Sequence, residues 1–454
     1  MTTSAPAGTT RRLIEFALGL RYEDLPAEVV AKAKGAILDT LGVTLVGSRE
    51  PTTQMVALTC VGAGREGDAT VLGATARTTP AAAALLNGYA AHTTDYDDSQ
   101  HPCGTHMSAP VLAATLATAE IHHRTGKETL TGYLAGFELG CKLGRIGDFG
   151  RVLQRRGVHP TGFLGRFGAA AAAGRLMSLN AGQMNHTMGI AAGQAAGVIR
   201  SFGSMCKAFN AGNAAHDGVQ AALLAGAGFT APEDMFDGEP NVFTIGGGQA
   251  DAEALSGEPG RHYEITANTT KIYACTGWRN PVVEAMVMFA NEHNLKAGDI
   301  AKVAVFVCSD VIFLPDYPEP TCGLEGKFSV AHAAAVGLVD RAGGVQQFSD
   351  VRVADLLLTA LRRRIRLELD PKLGPFQTRV TVETNDGRTL SHFIADQKGN
   401  PRNPLNWDEL VTKFSANAAV VLPAGRVDAL VAMVNDIEAV GDIRELTRLC
   451  RPGM

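Results

Sequence analysis

Fifteen residues, HTTDYDDSQHPCGTH at positions 92 to 106, hold three aspartates (Asp95, Asp97, Asp98), a tyrosine (Tyr96) and three histidines (His92, His101, His106). Carboxylates and imidazoles this close can exchange protons, orient one another or ligate a metal. Three further candidates stand apart in the chain. His159 lies in GVHPTGFLG, just before a helical run starting near Thr161; a helix N-terminus there would favour an anion. Lys207 lies in GSMCKAFNAGNAAHDG, a Gly/Asn-rich stretch leading into a helix, and Lys271 lies in TTKIYAC, where the texture turns from helical to β. Each sits at an element boundary beside small residues.

Other chemistries fit these residues less well. His101, Cys103 and His106 are metal-ligand types, but their spacing matches no standard zinc motif and no second ligand pair accompanies them. The GGG at 246 to 248 fails the G-x-G-x-x-G pattern because Asp251 holds the last position, and G-x-x-x-x-G-K-[ST] is absent. There is no G-x-S-x-G. Cys103 and Cys206 are near His or Lys, yet an inert thiol is the plainer reading of each. Acid–base chemistry remains.

The elements that must position these groups are mostly helices. Residues 1 to 265 carry apolar positions at three- and four-residue spacing, as in EVVAKAKGAILDTLGVTLVG, which should end at Gly47. Alanine- and glycine-rich runs flank the 92–106 stretch, His159 and Lys207: AAAALLNGYAAH, APVLAATLATAE, GFLGRFGAAAAAGRL and AAHDGVQAALLAGAGF. Small side chains let helix backbones approach closely. From 266 the pattern changes to short β-branched runs, TTKIYAC, IAKVAVFVCSD and FQTRVTVETNDGRTLSHFIAD, with NDG at 385 to 387 marking a hairpin. Helical segments alternate with them. After KGNPRNPLN the chain returns to helix. We therefore expect a mainly α protein. Residues 1–265 and 399–454 form one large all-helical domain from both chain ends, and 266–398 form a smaller inserted α+β domain.

Bulk properties set the class. The chain has 454 residues, 46% hydrophobic and 19% charged, with net charge −5, as in a folded enzyme of about two domains. No basic cluster of the nucleic-acid kind is present, and RRRIR at 362 to 366 is read as a solvated face. The eight cysteines include no C-x-x-C pair and are expected to be reduced thiols. No apolar run approaches the length of a membrane span, and MTTSAPAGTTRRLIEFALGL lacks a small-residue cleavage pattern. A cytoplasmic protein with neither nucleic-acid nor membrane partner is expected.

Several runs together carry a resemblance: AILDTLGVTLVGS, LLNGYAAHTTDYDDSQHP, THMSAPVLAA, HPTGFLGRFGAAAAAGRLMSLN, MNHTMGIAAGQAAG, GSMCKAFNAGNAAHDGVQAALLAGAGFTAPEDMF and GKFSVAHAAAVGLVD. In combination the chain resembles the MmgE/PrpD family over nearly its whole length. That family includes 2-methylcitrate dehydratase, cis-aconitate decarboxylase and iminodisuccinate epimerase. The resemblance implies a cofactor-free, metal-free homodimer with its site in a cleft between the helical domain and a lid. It implies catalytic roles for Asp95, His106, His159, Lys207 and Lys271. Ser99, His101, Arg145 and His332 are the expected substrate-binding residues; His332 stands where the animal decarboxylase form has tyrosine. Specificity should rest on cleft residues, including those of the 313 to 327 loop.

The implied chemistry suits these residue types. Removing a proton or CO₂ next to a carboxylate builds negative charge, which preplaced cations stabilise. Lys207 and Lys271 could supply that, His106 and His159 could carry protons, and Arg145 could clamp a carboxylate. The expected function is a lyase, dehydrating or decarboxylating a small di- or tricarboxylate such as 2-methylcitrate or cis-aconitate. The alternatives are an epimerase of an iminodisuccinate-like dicarboxylate and a non-catalytic dimeric carboxylate-binding protein.

Overall fold

The structure is a computed structural model and describes residues 8–60, 67–237, 240–245, 262–309 and 314–453. The GGG at 246 to 248, Asp251 and the start of the 313 to 327 loop lie outside them. The described chain is mainly helical, as its periodicity predicts. Nine helices matter here: α1 (Ala27–Gly47), α2 (Pro80–Thr93), α3 (Ser108–Ile121), α4 (Gly126–Arg145), α5 (Pro160–Leu176), α6 (Cys206–Gly226), α7 (Asn280–Glu292), α8 (Val330–Asp340) and α9 (Trp407–Ala418).

Small residues decide how the central helices cross. A Cβ on Gly212 of α6 would stand 2.5 Å from the Leu85 carbonyl oxygen of α2, and one on Gly88 would stand 3.1 Å from Gly212 Cα. The two backbones therefore touch, with no room for a side chain between them. Gly88 lies four residues before His92, and Gly212 five residues after Lys207. The glycine contact thus brings the end of α2 to the start of α6, where the charged groups meet.

Two hydrophobic clusters organise the rest. One draws on residues from Leu13 to Ile265 and again from Phe414 to Cys450. The other gathers residues from Ala274 to Ile394, together with Val43, Tyr96, Ile199 and Phe202. Tyr96 joins the second cluster from within the charged loop, and Phe202 from a separate segment. Within the second cluster a four-stranded sheet runs β4–β3–β5–β6, with β3 (Ile300–Val307), β4 (Ile365–Leu369), β5 (Thr378–Thr384) and β6 (Thr389–Ile394). β3 pairs parallel with β4 and antiparallel with β5. The β5–β6 hairpin turns through Asn385–Asp386–Gly387, with Gly387 at φ 88°.

Two local readings change. TTKIYAC continues as a strand only at β2 (Asn268–Thr269), which pairs with β1 (Ser99–Gln100) beside the charged loop. Beyond it the backbone is satisfied by other loops: Thr270 N–H donates to the Gly399 carbonyl and Ala274 N–H to the Gly343 carbonyl. The RRRIR run is not only a solvated face. Its Ile365 is buried and opens β4, and Arg362 is buried on the preceding helix.

Candidate active site

Asp95 sits at the centre. Helix α2 ends at Thr93, and Asp95 follows at φ 53°, a left-handed backbone that aspartate tolerates better than most side chains. Two lysines take its two oxygens. Lys207 Nζ donates to Oδ2 at 2.9 Å and Lys271 Nζ to Oδ1 at 2.6 Å. Lys271 also donates to the Asp95 carbonyl at 2.8 Å and lies 3.9 Å from Asp97 Oδ1. Two more buried lysines hold the same loop by its carbonyls: Lys327 donates to Thr93 at 2.9 Å and Lys413 to Tyr96 at 3.0 Å. Lys413, from α9, is in turn paired with Asp39 of α1. Ammonium groups from four distant chain segments thus fix one four-residue turn.

The two central lysines have different electrostatic settings. Burial pushes the Lys207 amine down, and Asp95 only partly offsets it. Burial also acts on Lys271, but Asp95 and Asp97 outweigh it and leave its pKa raised. Burial alone would raise the Asp95 carboxyl, yet the two ammonium groups hold it well below the usual range. Lys271 is fully buried, whereas Lys207 lines a cleft and has Phe202 and Phe328 about its head, at 5.4 and 5.7 Å.

The histidines are neutral and differently wired. His106 Nδ1 lies 2.8 Å from the Asp98 carbonyl oxygen and donates to it, so Nε2 carries the lone pair. His159 caps the start of α5, and Asn210 Nδ2 donates to its Nδ1 at 3.2 Å. Nε2 then carries the proton; it is buried with no hydrogen-bond partner among the described residues. Burial lowers both rings well below the ordinary value, with Lys271 and Lys207 adding to the effect at His106 and His92 and Lys207 at His159. Both rings line the cleft. One can accept a proton and the other can donate a hydrogen bond.

The cleft wall includes Ser99 and His101 as well. His101 stacks on Phe376 at 3.5 Å, and Phe376 stacks on Trp278 at 3.9 Å. Burial lowers the His101 ring to about 3, with Arg151 and Lys271 contributing. Phe376 holds φ 62° and comes from the loop between β4 and β5, so the stack ties His101 of the charged loop to the second cluster.

Two expected binding residues lie elsewhere. Arg145 ends α4 in an exposed position away from the cleft lining. His332 is buried in the first turn of α8, where Ser329 caps the helix. Its Nε2 donates to the Gln347 carbonyl at 2.9 Å and its Nδ1 accepts from Arg362 at 3.3 Å. Those bonds turn it into the interior of the second cluster. The arginine that does line the cleft is Arg151, which donates to the His101 carbonyl at 2.7 Å and to Gln154 Oε1 at 2.9 Å. Nothing in the spacing of the arginines distinguishes it from Arg145. Phe202, Trp278 and Phe376 also carry no local sequence signal, whereas Lys327 belongs to the GKFSVAH run. His92 and Asp97 do carry one, since both belong to the HTTDYDD run.

His101, Cys103 and His106 are not gathered as ligands. Cys103 Sγ faces Gln100 and Thr105, and the His101 ring is stacked. His92, Asp97 and His106 do have ligand atoms within 4.8 Å of one another. However, His92 is already bonded on both sides and two ammonium groups flank the trio, an arrangement suited to protons rather than a cation.

A buried carboxylate shared by two lysines, with oriented neutral imidazoles at a cleft, is an arrangement able to hold anions and move protons. The MmgE/PrpD N-terminal domain matches residues 11–254 and the MmgE/PrpD C-terminal domain matches residues 273–439. The chain belongs to the MmgE/PrpD family. It is 29% identical to a cis-aconitate decarboxylase-like protein of Aspergillus oryzae, covering 99% of this chain and 98% of the relative. It is 27% identical to cis-aconitate decarboxylase of Aspergillus terreus (98% and 96% covered) and 26% identical to that of Mus musculus (95% and 91%). It is an enzyme of the lyase class. Among the described residues no helix is long and apolar enough to cross a membrane.

Proposed function

We propose that the protein decarboxylates a small unsaturated tricarboxylate of the cis-aconitate type, without a cofactor, using Lys207 as the proton carrier. The observation that carries this reading is the unequal pair of lysines on Asp95. Lys271 is buried and held charged, while Lys207 faces the cleft with its pKa lowered. Environments that push two like groups apart separate a fixed charge from a proton donor.

The step needs little else. The bond from the methylene carbon to its carboxylate breaks, and its electron pair forms a new carbon–carbon double bond. The old double bond's pair moves to the carbon next to a remaining carboxylate. Lys207 delivers one proton there and is reprotonated from solvent. CO₂ and a dicarboxylate with a terminal methylene leave. Charge on the intermediate spreads into a carboxylate, and His159 Nε2–H and Arg151 are placed to bind carboxylate oxygens. Preorganised charge is typically the largest contribution to such a step. The unit from 266 to 398 serves as the lid, and the Trp278–Phe376–His101 stack is one of its contacts across the cleft. The functional form is a homodimer, for which exposed Met205, just before α6, and Phe209 on α6 offer apolar surface.

The test is to incubate the protein with cis-aconitate and, separately, 2-methylcitrate, following CO₂ release and proton NMR. Release of CO₂ with a new pair of terminal-methylene signals supports the reading. Water loss from 2-methylcitrate with no CO₂ from cis-aconitate would replace it with dehydration.

A further inference from the structure

His92 is buried between two charged groups and has no place in the step above. Its Nδ1 lies 2.7 Å from Asp97 Oδ2. A nitrogen that close to a carboxylate carries the hydrogen, so in the neutral ring Nε2 is an acceptor. That Nε2 lies 3.0 Å from Lys207 Nζ. Lys207 then has two acceptors, Asp95 Oδ2 and His92 Nε2. An ammonium has three N–H bonds, and fixing two fixes the third. Lys207 lines the cleft, so the third N–H is the one available to a substrate.

We propose that His92 and Asp97 are positioning residues that aim the transferable proton of Lys207 into the cleft. Asp97 selects the His92 tautomer, and His92 orients the ammonium. This rests on the reading of Lys207 as the proton carrier. A chain of carboxylate, imidazole and proton-carrying group has the logic of a serine–histidine–aspartate triad, with a lysine in place of the hydroxyl and without proton transfer to the imidazole.

The surroundings support a neutral His92. His106 and His159 lie 4.7 and 5.8 Å away ring to ring, and both are neutral. The charged groups facing the His92–Lys207 pair are Asp95, Asp97 and Lys271. Burial lowers the His92 ring despite the attraction of Asp97. A neutral acceptor still stabilises the ammonium form of Lys207, because a hydrogen bond to the charged form favours it. Removing the acceptor must lower the Lys207 pKa further. Since turnover needs protonated Lys207, the basic limb of the kcat profile must move to lower pH.

The experiment compares pH profiles of kcat and KM for wild type, His92→Leu, His92→Gln, Asp97→Asn and Lys207→Ala on cis-aconitate, each checked for folding by circular dichroism. In His92→Leu the basic limb should move down by about one pH unit, the worth of one net hydrogen bond. Its kcat should fall roughly 10- to 100-fold through misaiming, with KM little changed. Glutamine can accept from Lys207 and donate to Asp97, so His92→Gln should keep the limb near its wild-type position. Asp97→Asn favours the wrong tautomer, which sets Nε2–H against the ammonium, and should be more damaging than His92→Gln. If His92→Leu does not fold, the contrast between the last two decides. An inactive Lys207→Ala beside an unmoved limb in His92→Leu, or beside equal effects of His92→Gln and Asp97→Asn, would overturn the positioning role alone. Wild-type turnover in Lys207→Ala would overturn both readings.

Discussion

Lys271 grips Asp95 twice, at the Oδ1 carboxylate oxygen (2.6 Å) and at the backbone carbonyl (2.8 Å). A lysine from the start of the second hydrophobic half therefore sets both the side chain and the left-handed backbone of Asp95. The grip also leaves Oδ2 for Lys207. Replacing Asp95 by Ala strands two buried ammonium groups. Leaving a buried charge unpaired costs about 3–5 kcal/mol. Asp95→Ala should melt well below wild type and show no turnover, read by thermal denaturation and CO₂ release. A variant with unchanged melting would contradict the central role of this carboxylate.

Gly212 tests how the site is assembled. Its missing side chain lets α6 lie on the Leu85 carbonyl of α2. Alanine there must push the helices apart, which typically costs about 1–3 kcal/mol. The displacement falls five residues from Lys207, so kcat should drop along with stability. Activity at the wild-type level in a folded Gly212→Ala protein would show that the helix contact does not set the Lys207–Asp95 distance.

Stability should carry a pH signature from Asp98. Its carboxyl is buried and raised to about 7, against hydrogen bonds from Ser108 and Asn268 that pull it down. The folded pKa is above the unfolded one. The stability this group contributes is therefore full below the ordinary carboxylate range and is lost as pH rises through about 7, with a slope of up to about 1.4 kcal/mol per pH unit. Asp98→Asn should lack this component. Urea unfolding at pH 5 and pH 8 checks it: wild type should lose more stability between the two than Asp98→Asn does. Equal losses would contradict the assignment.

His332 should matter for folding rather than turnover. Its two ring nitrogens bind the Gln347 carbonyl and Arg362 inside the second cluster. His332→Ala removes the Gln347 carbonyl's imidazole donor and one acceptor of Arg362, which keeps the Val353 carbonyl and Thr359 Oγ1; it should lower the melting temperature while KM for cis-aconitate stays near wild type. A large rise in KM without loss of stability would return it to the substrate.

Much of this was legible before any coordinates. The periodicity of EVVAKAKGAILDTLGVTLVG ends at Gly47, where α1 ends, and NDG marks the turn between β5 and β6. The change of texture near 266 coincides with the change from one hydrophobic cluster to the other. The gathering of Asp95, His106, His159, Lys207 and Lys271 rested on resemblance, because spacing along a chain says nothing of which helices cross. What could not be read was direction. His332 sits in a matching motif but points inward, since its partners Gln347 and Arg362 are local to the second cluster. Arg151 and Arg145 lie six positions apart on neighbouring helices, and only packing decides that Arg151 faces the cleft. The Phe376 stack depends on a loop conformation at positive φ, which no phenylalanine advertises.

The proton role of Lys207 is tested most directly by Lys207→Ala with small primary amines added back. As proton carrier, Lys207 is required: the variant should bind substrate but release no CO₂, and amines that fit the cleft should restore turnover at rates that follow their pKa. Wild-type CO₂ release by Lys207→Ala without amine would contradict it.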